Sequence, residues 1–242
     1  MLKINNLIVK NKNKILLNNI NFNVEKGEVV GILGQSGSGK TLLSSAITGL
    51  LTSDLNVSGD IIFNGINLLQ IKEKQLAKLR GKNIGLVFQN AFSAFLNNKK
   101  ILEEFTEIFA FHKLIYDENK VIEVLKSVDI SSDELKKYPH QFSGGQLQRI
   151  LIALFIVLEP ELIIYDESTT GLDMINTKKI IDIINRLKAD NNTSQIIISH
   201  DIDVIKKVAD RIIVMNSGKI VEENTKYEIL YNPKTQITKM LL

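Results

Sequence analysis

The chain has 242 residues, 44% hydrophobic and 24% charged, with 30 Lys and Arg against 27 Asp and Glu for a net charge of +3. That length can bury a substantial core in one large or two small domains, and the balanced charge gives no support to nucleic-acid binding by bulk electrostatics. Cysteine is absent, which excludes disulfides, cysteine-ligated zinc, iron–sulfur clusters and thiol catalysis on this chain. The mean hydropathy of +0.05 is fairly apolar. Yet the longest apolar run, Ile150 to Leu158, is far short of the roughly 20 residues that span a bilayer. The start Met1-Leu2-Lys3-Ile4-Asn5-Asn6 has no apolar signal-peptide core, so a cytoplasmic globular protein is expected.

In residues 1–30, Ile20, Phe22 and Val24 alternate with Asn21 and Asn23, which predicts a half-buried strand. Val29 to Leu33 is short and continuously apolar, as in a strand buried on both faces. After a Gly/Ser-rich loop, Leu42, Leu43, Ala46, Ile47 and Leu50 recur at helical spacing. Ile61-Ile62-Phe63 reads as a strand with turns at Ser58-Gly59-Asp60 and Asn64-Gly65. Residues 98–158 read as mostly helical. One helix carries Glu103, Glu104, Phe105, Ile108 and Phe109. A second carries Val121, Val124, Leu125 and Val128, and a third runs from Gln146 to Leu158. Strand and helix then alternate. Strands are expected at Leu162–Tyr165, Gln195–Ser199 and Arg211–Met215, and helices at Thr177–Leu187 and Asp203–Val208. This order predicts a parallel α/β sheet interrupted by an inserted helical block.

Gly34-Gln35-Ser36-Gly37-Ser38-Gly39-Lys40-Thr41 fits G-x-x-x-x-G-K-[S/T] between a strand and a helix. A triphosphate is highly charged and must be held without bulky side chains in the way. Glycines turn successive N–H groups toward the phosphates, and the helix N-terminus adds positive potential. Lys40 is expected to reach the β- and γ-phosphates of ATP, and the Thr41 hydroxyl to hold Mg²⁺. Leu162 to Tyr165 runs into Asp166-Glu167. Ligands bind beyond the carboxyl ends of parallel strands. Asp166 is therefore expected beside the phosphate loop and Mg²⁺, and Glu167 where it can polarise a water. His200 follows another strand and suits a γ-phosphate oxygen. His112 and His140 have no partners at metal-ligand spacing.

Phe142-Ser143-Gly144-Gly145-Gln146-Leu147-Gln148-Arg149 is a second Gly-rich turn leading into a helix. Two phosphate-binding devices in one chain suggest a composite site, the second serving a partner's nucleotide. With this segment the sequence resembles the ATP-binding cassette (ABC) ATPases over essentially its whole length.

The resemblance implies a P-loop NTPase fold. It would be one domain over 1–242, with a RecA-like parallel core, an N-terminal antiparallel β subdomain and a helical subdomain at about 92–158. It makes Gly34–Thr41 the Walker A loop, Asp166 the Walker B aspartate and Glu167 the catalytic base. Gln89 becomes the glutamine that senses Mg²⁺ and water, and Ser143, Gly144, Gly145 and Gln146 the signature. Thr170-Gly171-Leu172-Asp173 becomes the D-loop, and His200 the switch histidine. It also implies head-to-tail dimers with ATP between one Walker A loop and the opposite signature. Three positions differ from the family pattern. No aromatic precedes Phe22 to stack on adenine, Ser168 stands where Pro is usual, and Gly171 where Ala is usual.

Gln89-Asn90-Ala91-Phe92-Ser93-Ala94-Phe95, Tyr138-Pro139 and Asn232-Pro233-Lys234 resemble ATP-binding subunits of peptide and nickel importers. That implies a second ATPase subunit, a paralogue rather than a self-dimer, with two membrane permeases and indirectly an extracellular solute-binding protein. The location would be the cytoplasmic face of the membrane, with no nucleic-acid partner. The alternatives are an ABC ATPase of another transport system or a soluble non-transport one. The apolar run Phe92–Leu96 has two readings, a groove for a permease coupling helix or core packing of the helical block.

Overall fold

The computed structural model describes residues 1–12, 14–190 and 193–242. In chain order the elements begin with β1 (Leu2–Asn11), β2 (Lys14–Val24), β3 (Val29–Leu33), α1 (Lys40–Thr48), β4 (Leu55–Phe63) and β5 (Ile66–Asn67). They continue with α2 (Glu73–Leu79), β6 (Ile84–Val87), α3 (Ile101–Phe111), α4 (Glu118–Ser127), α5 (Gly144–Ile156) and β7 (Leu162–Asp166). The last are α6 (Met174–Ala189), β8 (Ser194–Ser199), α7 (Ile202–Val208), β9 (Arg211–Asn216), β10 (Lys219–Thr225), α8 (Lys226–Tyr231) and α9 (Gln236–Leu241).

Two sheets form. One has the order β2-β1-β4-β5 and is antiparallel. The other runs β10-β9-β3-β8-β7-β6, parallel from β9 to β6, with β10 antiparallel at one edge. This is the P-loop NTPase architecture expected from the motifs. β3, β6, β7 and β8 are buried at every residue, which is why their sequences are apolar without alternation. One face of the parallel sheet, including Ile32, Ile164 and Ile198, packs with Leu43 and Ile47 of α1 and with Leu2 and Ile4 of β1. The opposite face, including Val29, Ile163 and Tyr165, packs with α5 and α6 through Ile150, Leu154, Ile180 and Ile184.

Two local expectations are corrected. Ser58-Gly59-Asp60 lies inside β4 and is not a turn. There β1 bulges at Asn6 (φ 48) and β4 passes it, so that a Cβ on Gly59 would stand 2.4 Å from the Asn6 carbonyl oxygen. The helical spacing that runs to Leu50 overshoots as well. α1 ends at Thr48 because Gly49 turns left-handed at φ 64, and Leu50 N–H bonds the Ser45 carbonyl at 2.8 Å. Leu50 is left 44% exposed.

Candidate active site

The parallel register brings four strand exits side by side. Leu33 pairs with Ser199, Ile198 with Asp166, and Tyr165 with Val87. The segments that follow these strands line one cavity of about 750 Å³. Its wall includes Gln35, Ser36, Gly37, Gly39, Lys40 and Thr41 from the loop after β3. Gln89, Glu167 and His200 come from beyond β6, β7 and β8.

The loop's shape follows from its glycines. Gly37 and Gly39 adopt φ 76 and 104, where side chains are strained. At Gly34 a Cβ would stand 2.4 Å from the Met215 carbonyl oxygen. The α1 N-terminus has no side-chain cap, so its N–H groups stay available to an anion. Lys40 is buried and donates through Nζ to the Gly34 oxygen at 2.7 Å and the Gln35 oxygen at 3.0 Å. Ser38 Oγ is buried with no partner among the described residues. An ammonium turned on its own loop and an orphan hydroxyl beside bare N–H groups fit a polyphosphate.

Asp166 accepts from Thr41 Oγ1 at 3.1 Å and from Ser44 Oγ at 2.7 Å. Burial raises its carboxyl above the usual aspartate value, against the lowering effect of the two hydroxyls. A buried carboxylate beside a threonine hydroxyl is an oxygen donor set suited to Mg²⁺. Glu167 sits in the left-handed region at φ 53, and its N–H donates to the Ile198 oxygen at 3.0 Å. Its Oε1 lies 3.4 Å from Lys40 Nζ. Its Oε2 lies 2.6 Å from His200 Nδ1 and accepts from Thr170 Oγ1 at 2.9 Å. This carboxylate, adjoining the loop, is placed to take a proton from a water at the end of a bound triphosphate.

Ser143–Gln146 and Asp173 are not among the residues lining this cavity. Ser143 caps α5, accepting from Gln146 N–H at 3.3 Å, and Gln146 Oε1 accepts from Ser143 N–H at 3.0 Å. A Cβ on Gly144 would meet nothing nearer than Phe92 at 4.0 Å, whereas one on Gly145 would stand 2.3 Å from the Asn176 side chain. Gly145 therefore has a packing reason to be bare, besides any ligand. Asp173 caps α6, accepting from Asn176 N–H at 2.8 Å, and this bond holds its carboxyl below the usual value.

Some residues escaped the sequence reading. Ser44 and Gln148 are buried polar residues in helices whose buried faces also hold Lys40, Thr48 and Arg149, so hydrophobic spacing alone does not single them out. Gln148 Nε2 donates to the Phe88 oxygen at 2.8 Å and so ties α5 to the segment carrying Gln89. Leu16 of β2 and Leu241 of α9 line the cavity without any sequence signal. Within the Phe92–Leu96 run Phe95 is core, while Phe92 and Leu96 are 41% and 53% exposed; of the residues just before it, Ala91 is core and Phe88 is 39% exposed.

Residues 17–170 match a protein family described as ABC transporter. The chain is 38% identical over 232 residues to the metal-staphylopine import system ATP-binding protein CntD of Staphylococcus aureus, covering 94% of this chain and 86% of that one. It is 38% identical over 230 residues to the oligopeptide transport ATP-binding protein OppD of Bacillus subtilis, covering 92% of this chain and 64% of that one. Among solved structures, the dimeric post-hydrolysis state of the ATP-binding cassette MJ0796 bound to ADP and Pi superposes with a TM-score of 0.82 at 27% identity, covering 93% of this chain and 99% of that one. The cbiO1 protein of Clostridium perfringens, part of the ABC transporter complex cbiONQ, gives 0.81 at 29% identity, covering 96% and 90%.

Proposed function

Since this chain belongs to the ABC transporter family and is an ATP hydrolase coupled to transport, we propose that it energises import of a peptide or a metal chelate, nickel included. The whole chain is then one cassette, with about 92–158 as its helical subdomain. The observation that carries the chemistry is the convergence of Lys40, the Thr41–Asp166 pair and the Glu167–His200 pair at the mouths of adjacent parallel strands.

The loop N–H groups and Lys40 bind the β- and γ-phosphates of ATP. Thr41 and Asp166 would hold Mg²⁺, and Gln89 would sense it. The ion, when bound, neutralises charge gathering on the phosphate oxygens. Glu167 accepts a proton from water. The water oxygen bonds to the γ-phosphorus as the bond from that phosphorus to the β–γ bridging oxygen breaks, leaving ADP and inorganic phosphate. His200 holds a γ-phosphate oxygen and orients the water. Leu16, Leu42 and Leu241 offer the base an aliphatic surface in place of an aromatic ring.

The remaining residues look outward. Ser143, Gly144, Gly145 and Gln146, with Asp173, complete the ATP site of a second ATPase subunit, a paralogue. Phe88, Phe92 and Leu96 receive a permease helix, and two permeases and an extracellular solute-binding protein complete the system. Among the described residues no helix is long and apolar enough to cross a membrane, which suits a subunit docked at the cytoplasmic face. CntD and OppD, both named as ATP-binding proteins of transport or import systems, support the cargo class. Glu167→Gln should bind ATP with unchanged affinity while turnover falls at least about 100-fold. Wild-type steady-state ATPase from this variant removes Glu167 as the base.

A further inference from the structure

We propose that Thr170 is a positioning residue for Glu167, holding its carboxylate in line with the attacking water once nucleotide is bound. The inference rests on reading Glu167 as the base.

Three groups touch the Glu167 carboxylate: Lys40 Nζ at 3.4 Å from Oε1, and His200 Nδ1 at 2.6 Å and Thr170 Oγ1 at 2.9 Å from Oε2. They differ in where else they are needed. Lys40 and His200 both line the cavity that receives the triphosphate. A polyanion entering there competes with Glu167 for both cations or donors. Thr170 is not among the residues lining that cavity. Its hydroxyl bonds the carboxylate without belonging to that lining.

Thr170 also belongs to the turn that Glu167 itself begins. Its N–H donates to the Glu167 carbonyl at 3.0 Å while its hydroxyl donates to the Glu167 side chain. Backbone and side chain of the two residues are thus closed into one unit. Glu167 opens that unit at φ 53, a conformation that surrounding contacts must maintain. With Lys40 and His200 drawn to nucleotide, the Thr170 hydroxyl is what keeps the carboxylate from rotating out of line. A base displaced by about 1 Å loses much of its rate. The same residue borders the surface cavities on both sides of the turn, beside Gly171 and Leu172 and beside Phe92 and Gly144.

The test is steady-state ATPase of the full chain in its working assembly, for Thr170→Val and Thr170→Ser. Valine keeps the shape and removes the donor, and serine restores it. Thr170→Val should lower kcat about tenfold while KM for ATP and the thermal midpoint stay near wild type, and Thr170→Ser should recover most of the loss. Wild-type kcat in Thr170→Val, a loss carried by KM, or a serine variant as slow as the valine one overturns the proposal. Should Thr170→Val not fold, Thr170→Ala against Thr170→Ser decides by the same criteria. Glu167→Gln run alongside separates the two ideas. An active Glu167→Gln defeats the base and this inference together, whereas an inactive one beside a fully active Thr170→Val defeats this inference alone.

Discussion

The loop before α1 and the turn before α5 are both Gly-rich, and both lead into helix N-termini, yet they differ in what they leave unsatisfied. Before α1 the capping position is Gly39, which offers no side chain, and Lys40 and Ser38 are turned inward onto the loop with Ser38 Oγ unpartnered among the described residues. Before α5 there is a side-chain cap. Ser143 and Gln146 bond one another's backbone reciprocally. The first turn has no side-chain cap, and its chemistry fits an anion. The second carries a reciprocal cap and is exposed at Ser143, whose hydroxyl accepts from Gln146 N–H and keeps its own O–H to donate. The two glycine-rich turns thus differ in how their helices are capped.

Lys40→Ala tests the receptive side and should have the largest effect. ATP affinity of the variant should fall at least about 100-fold in a nucleotide titration, because a charge-assisted contact is lost inside a closed loop. Retained affinity would break the comparison at its stronger end. Gly144→Ala sharpens the other end. The added methyl meets open space within the chain, so thermal midpoint and ATP affinity should stay at wild type. Turnover in the assembled complex should nevertheless fall about tenfold, because the obstruction is to whatever docks outside. Unchanged turnover would mean that nothing closes over this turn. In the isolated chain the smallest effect is expected from Ser143→Ala, which removes one half of the reciprocal cap. It should lower the unfolding free energy by about 1 kcal/mol in denaturant titration, and a neutral result would show that the cap carries no stability.

Much of this fold was readable because its signals are local. Continuous apolar runs marked the strands buried on both faces, and the G-x-x-x-x-G-K-T spacing marked the phosphate loop between β3 and α1. The misread turn and the run left with two readings share a cause. Gly59 looked like a turn because a bulge and a turn ask for the same glycine freedom, and only the neighbouring strand distinguishes them. Phe95 and Phe92 are three residues apart in one apolar run, yet one lies in the core and the other faces out. The short 3-10 turn at Ala91–Ala94 sets that division, and no hydrophobic pattern of five residues encodes it.

By itself the sequence determined which chemistry the chain carries, because a phosphate loop, a carboxylate pair after a strand and a histidine after another each require particular residue types within a few positions. What only the tertiary structure decided was who touches whom. The parallel register laid β7 beside β8, so that Glu167 meets His200 across 33 residues. It set Asp166 against Thr41 and Ser44 of α1, and it left the signature turn outside the cavity that it resembles. Strand order is set by how the whole core packs, and no local stretch of residues carries that information.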